Sequence, residues 1–416
     1  MQVRTRRNFA ALAWHGTFLA AASALVQPTT LLPAYVLMLG GSPVLVGTLV
    51  TLLLAGGVLP QLAFAHVVEA SARKRPYLLW AVFSRALSFL ALGGASLALA
   101  GRGRGVLLAL LLVLITAFAL GGSLGGVAYT EVYGRSIPPG RRGAFYASRQ
   151  FLGSLAALAA TYGAALLLAR GGADPTRAYA LVFAAAGALM AVAGLGFVAL
   201  REAPAASAAA MRSLASYVRA MPSLWRSAPD LRALVAVENV ASLHLMLLPF
   251  YMLLAERYLG ATPADAALYT MVQIAGGALS NALWGPMNDR LGSASVLRAC
   301  LGLGAALPLL ALALVHFAPG LYALVFALLG AAVNSRTLAF NNVLVDISPP
   351  DLRSTYTGLV GTLTAPSLVL PMLGGALIAA AGFGAVFGGV SAALALALLV
   401  LTVGGRAQAL AGPPKG

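Results

Sequence analysis

Glu238 stands well inside a long apolar run of this 416-residue chain, with Asn239 beside it and His244 six residues on. On a helix that separation is about 9 Å along the axis. A carboxyl group withdrawn from water favours its protonated form, and an imidazole its neutral form, so this acid and this histidine are chemically suited to carry a proton. His15, in the first apolar run, has the same capacity. Arg336 lies in another such run with Asn334, Asn341 and Asn342. Its planar guanidinium suits carboxylates and phosphates. Two readings of Glu238 stand side by side: a proton site, or a structural ion pair with Arg336 at similar depth. Gln27, Gln273 and Asn281 are further buried-type amides, which either bind a solute or join helices.

A second group of charges sits at the ends of apolar runs. Glu131 and Arg135 are four apart and so share a helix face. Asn342 and Asp346 repeat that spacing later in the chain. Glu69, Arg141, Arg142, Asp289, Arg290 and Arg353 fall at the same level. Arg85, within a run, is expected to partner an acid such as Glu131. Other chemistries lack their residues. There is no Gly-x4-Gly-Lys-Ser/Thr loop for a nucleotide, no Ser/His/Asp set, and the single Cys300 offers neither a disulfide nor a metal-ligand spacing. The expectation is no cofactor, no metal and no enzymatic activity.

Groups placed in this way require long apolar elements to hold them. Sixty per cent of the residues are apolar, 9% are charged, and the mean hydropathy is +0.90. A soluble domain is about 25% charged, so this chain could not cover a surface in water. Twelve runs are long enough to cross a bilayer as helices, which takes about 20 residues: 9–39, 43–66, 77–100, 105–134, 145–169, 178–200, 231–258, 264–288, 294–317, 319–345, 355–381 and 384–405. They lack the period-two alternation of strands. Prolines interrupt the first, at Pro28 and Pro33, and the seventh, at Pro249. With the N-terminus inside, 20 of the 27 lysines and arginines fall on the cytoplasmic side, five fall outside, and Arg85 and Arg336 stay within spans. That is the positive-inside distribution. The net charge of +16 therefore reads as topology, with both termini cytoplasmic, and calls for no nucleic acid.

The longest polar stretch, 201–230, divides the runs six and six. Met211, Leu214, Val218 and Met221 within it have the spacing of a short amphipathic helix on the inner surface, although a solvated linker fits as well. The halves repeat. Pro138-Pro139-Gly-Arg-Arg142 follows the fourth run and Pro349-Pro350-Asp-Leu-Arg353 the tenth, 211 residues later. The expected organisation is a six-helix bundle over 1–200, the linker 201–230, a second six-helix bundle over 231–405 and a tail, 406–416.

The segment Gly285-Pro-Met-Asn-Asp289-Arg290-Leu-Gly292, between runs eight and nine, resembles the loop signature of the major facilitator superfamily. Its copy after run two is degenerate, with Ala65 and Ala72 for glycines and Glu69 for aspartate. Pro28-Thr-Thr-Leu-Leu-Pro33 and Arg149-Gln-Phe-Leu-Gly153 resemble a bacterial branch without assigned substrates. The resemblance implies an all-α integral membrane protein of 12 transmembrane helices in two six-helix pseudo-repeats. It implies alternating access about a cavity lined by spans 1, 4, 7 and 10. Glu238, His15 and His244 are then candidates for a coupling proton, and Gln27, Asn239, Arg336, Asn334, Gln273 and Asn281 for a substrate cavity. Glu69, Glu131, Arg135, Arg141, Arg142, Asp289, Arg290, Asp346 and Arg353 would form a cytoplasmic gate, or simply be charges snorkelling to the interface. The expected activity is secondary transport of a small molecule by a monomer in the bacterial cytoplasmic membrane. Proton-coupled efflux of an amphipathic compound is the first reading, because few charges line the spans. Uptake of an anionic metabolite through Arg336 is the second. Run five, Gly153-Ser-Leu-Ala-Ala-Leu-Ala-Ala-Thr-Tyr-Gly163, lacks the Gly-Pro motif of drug–proton exporters. A membrane-embedded enzyme and a non-transporting membrane protein are the readings outside this class.

Overall fold

The computed structural model describes residues 2–69, 71–100, 102–172, 174–202, 223–349 and 352–403. The amphipathic segment around 211–221 and the tail lie outside them, as do the side chains of Glu69 and Arg353. Every regular element among the described residues is helical. In chain order these are α1 (Gln2–Ala24), α2 (Leu31–Met38), α3 (Pro43–Val58), α4 (Gln61–Glu69), α5 (Arg75–Ala98), α6 (Arg104–Ser136), α7 (Arg142–Ala169) and α8 (Thr176–Ala199). There follow α9 (Pro229–Ala241), α10 (Phe250–Leu259), α11 (Pro263–Leu291), α12 (Ser293–Phe317), α13 (Ala323–Ile347), α14 (Arg353–Thr364) and α15 (Leu370–Val403).

Prolines explain why there are more helices than apolar runs, and one glycine marks where two runs share a helix. Pro28 lies in the break between α1 and α2, while Pro33 sits in the first turn of α2, where a missing donor costs nothing. Pro249 separates α10 from a 3-10 turn at Ser242–Met246 that continues α9. Pro60 and Pro366 break two further runs, between α3 and α4 and between α14 and α15. In the sequence both runs, 43–66 and 355–381, stay apolar through these prolines. Within α15, Gly382 has φ +79°, a left-handed conformation open to glycine at little cost. It marks the division between the eleventh and twelfth runs.

The chain forms two compact units. One comprises Met1–Ala209 with Gly260–Met271, the other Ala210–Leu259 with Val272–Gly416. The division at 209/210 falls inside the 201–230 stretch. The opening turns of α11 group with the first unit, where the Thr30 and Thr270 hydroxyls are 2.5 Å apart. In the first unit α5 packs along α8 and α6, and α1 along α7 and α8. In the second, α12 packs along α15 and α13, and α9 against α13, α14 and α15. The third, fourth and sixth apolar runs thus pack together in one half as the ninth, tenth and twelfth do in the other.

The outer faces are apolar. On α5, Trp80, Phe83, Leu87, Leu90 and Leu97 are exposed at helical spacing, while Leu78, Val82, Phe89 and Leu92 are buried. On α7, Phe151, Leu155, Tyr162 and Leu166 form a similar exposed stripe. Such faces are covered by lipid rather than water. Nine helical stretches among the described residues are long and apolar enough to cross a membrane.

Candidate functional site

Glu238 lies in the last turn of α9, just before the helix tightens into the 3-10 turn. Opposite it, α13 supplies Arg336. The Arg336 Nη2 is 3.6 Å from Glu238 Oε1, and the side chains are only 21% and 15% exposed. The same Nη2 donates to Ser242 Oγ at 2.7 Å. Ser242 Oγ in turn donates to the Glu238 main-chain carbonyl at 2.7 Å. The guanidinium also lies 5.3 Å from the centre of the Phe340 ring, and its Nε has no hydrogen-bond partner. One acid, one base and one hydroxyl thus meet where α9 changes pitch. His244 lies close by: its Nδ1 donates to Ala241 O at 2.8 Å, and with Cys300 and Arg336 it borders a space of about 20 Å³.

The predicted amides fall mainly between helices of the second unit. Asn239 donates to Val235 O at 2.9 Å and to Leu363 O at 3.3 Å, joining α9 to α14. Asn334 donates to Gly277 O at 2.6 Å and to Asn281 Oδ1 at 3.4 Å, joining α13 to α11. Gln273 is buried on α11. In the first unit Gln27 is half-buried in the break after α1. His15 is buried on α1, its ring stacked on Phe197 at 3.8 Å between centres, and its Nδ1 donates to Ala193 O at 3.2 Å.

The charges at the helix ends are engaged within their own units. Glu131 pairs with Arg135 at 2.8 Å and with Lys74 at 3.5 Å. Lys74 is almost fully buried and also donates to Val68 O. Arg142 donates to Ile137 O and Gly134 O, closing the end of α6. Asp346 accepts from Ser293 Oγ at 2.8 Å, and Asn342 donates to Asn288 Oδ1 at 2.9 Å. Arg141, Asp289 and Arg290 are exposed.

Two placements depart from the sequence reading. Arg85 does not pair with Glu131; its guanidinium lies 4.3 Å from the centre of the Phe118 ring. Glu131 is held at the end of α6 by Lys74 and Arg135, whereas Phe118 is more than three turns further back along that helix. Glu202 was missed: its carboxylate accepts from Lys74 N at 2.6 Å and Arg75 N at 2.8 Å, satisfying donors left free at the start of α5. Among the described residues no cluster of three or more metal-ligating side chains occurs.

An all-α fold with long apolar helices and apolar outer faces defines a multi-pass membrane protein. Residues 241–415 match the sequence model of the Major Facilitator Superfamily. The fold matches that of the nucleoside transporter NupG, with TM-score 0.65 and 14% identity over 95% of this chain and 98% of that one. It matches a peptide transporter POT in complex with sulfate at TM-score 0.69 and 14% identity, over 98% and 96%. It matches a bacterial homologue of the human lysosomal transporter Spinster, inward-facing and occupied, at TM-score 0.66 and 14% identity over 98% and 96%. No protein of curated function is matched by sequence. The second half of the chain thus resembles that superfamily in sequence, and the whole chain shares the fold of these solved transporters.

Proposed function

We propose that the chain is a proton-coupled secondary transporter of a small solute, working by alternating access, with Glu238 as the proton site. The 3.6 Å approach of Glu238 to Arg336 carries this reading. An ion pair inside a membrane is costly unless both charges remain matched. Protonating Glu238 removes one charge and leaves Arg336 held only by Ser242. The site then favours a state in which an anionic group takes the place of the Glu238 carboxylate. Proton and anion would bind together rather than in competition.

That coupling favours symport of an anionic metabolite over the export of an amphipathic compound suggested by the apolar composition. Export keeps one support: the helices around the pair are mostly apolar and offer an uncharged solute a lipid-like surface.

The test begins with a thermal-shift screen of the purified protein against carboxylates and against neutral and cationic amphiphiles. The strongest hit is then added outside proteoliposomes that enclose a pH dye. Symport acidifies the lumen as solute enters, exchange raises its pH, and an unchanged lumen refutes proton coupling.

A further inference from the structure

The first unit contains a cavity of about 190 Å³ bordered by α1, α5, α6, α7 and α8. That volume corresponds to about six water molecules. Two of its lining residues are Arg85 and Arg149. Among the described residues no carboxylate lines the cavity, and neither guanidinium forms an ion pair. Arg85, which stays within its span, is a cation without a counter-charge there, and that is costly. Arg85 Nε and Tyr129 Oη, both on lining residues, are buried without a hydrogen-bond partner. Buried donors are normally satisfied by the protein, by water or by a ligand.

Glycines make the space. A Cβ on Gly16 would lie 2.7 Å from Arg149 Cγ and Nε, so a larger residue there would displace the arginine stem from its present path. A Cβ on Gly122 would lie 3.8 Å from Arg85 Nε, and one on Gly126 would meet nothing within 4 Å. Aromatic rings form the wall. The Arg149 guanidinium lies 5.6 Å from the centre of the Tyr129 ring, and Phe197 is stacked on His15.

From this geometry we propose that the cavity is a binding site for a small carboxylate with an apolar body. The two guanidinium groups and the Tyr129 hydroxyl hold the carboxylate, since arginine forks match that planar group. The aromatic wall takes the remainder. The site lies in the other unit from Glu238 and does not depend on the coupling reading.

Benzoate is the probe, and benzamide its uncharged counterpart. Calorimetry on the purified protein should detect benzoate and not benzamide. Arg85→Gln and Arg149→Gln should each weaken benzoate at least tenfold. Gly126→Leu adds bulk at a lining position where a Cβ meets nothing within 4 Å, and should weaken binding while the melting temperature stays at the wild-type value. Arg336→Gln should leave benzoate affinity unchanged, which separates this site from the coupling pair. Equal binding of benzoate and benzamide overturns the proposal, as does wild-type affinity in both arginine variants or loss of binding in Arg336→Gln. Nanodiscs distinguish the remaining source of an anion. If phosphatidylglycerol suppresses benzoate binding and phosphatidylcholine does not, the site holds a lipid headgroup and the solute proposal fails.

Discussion

Glu238 and Arg336 are linked twice, directly at 3.6 Å and through Ser242, whose hydroxyl accepts from the arginine and donates to the glutamate's own carbonyl. The side-chain pair therefore rests on the backbone where α9 gives way to a 3-10 turn. Glu238 thus sits immediately before the change from α-helix to 3-10 turn, a kind of junction that recurs at hinges.

Removing one partner should cost more than removing both. Arg336→Leu leaves a withdrawn carboxylate without its cation, a loss of about 3 kcal/mol for buried pairs. Adding Glu238→Gln should restore part of that stability. Thermal unfolding of the two single variants and the double variant checks this. Equal, additive losses would mean that the two side chains do not interact.

Glu202 should matter to the first unit although it lies just beyond the last helix of that bundle. Its two bonds to the start of α5 are charge-assisted. Glu202→Ala should lower stability by about 1–2 kcal/mol. Glu202→Gln, which keeps one acceptor, should lower it by less. If both variants melt with the wild type, the carboxylate does no capping.

Helix contact by glycine gives a sharp contrast. A Cβ on Gly330 would lie 2.0 Å from the Gln273 carbonyl oxygen, backbone against backbone, so α11 and α13 must separate to admit it. Gly330→Ala should destabilise by about 1–3 kcal/mol, the usual cost of overpacking. A Cβ on Gly388 meets nothing within 4 Å, and Gly388→Ala should stay within about 0.5 kcal/mol of wild type. Melting curves of the two variants in the same detergent decide it.

Much of the fold is legible in the sequence because apolar length and proline position act locally. The breaks at Pro28 and Pro249 and the division near Gly382 follow from residue type alone. Pro60 and Pro366 escaped notice because the apolar runs continue through them. In the site, the Glu238–Arg336 pair was one of two open readings, since both charges stand inside runs at similar depth. The partner of Arg85 was not legible: an arginine in a span suggests an acid, but a ring three turns along α6 met it first. Nor does Arg73-Lys74-Arg75 reveal that its middle residue turns inward to Glu131, because that depends on how α4 and α5 approach α6. The cavity beside Arg149 depends on where α1, α6 and α7 cross, and the signal that hinted at it was glycine. Gly121 and Gly125 press on α5, while Gly122 and Gly126 leave room.

The coupling role of Glu238 is tested most directly by reconstituting Glu238→Gln with the solute found by the stability screen and comparing two assays. With Glu238 as the proton site, the variant exchanges labelled solute across the membrane at equal concentrations but no longer accumulates it when a pH gradient is imposed. Accumulation at the wild-type level under that gradient would contradict the account.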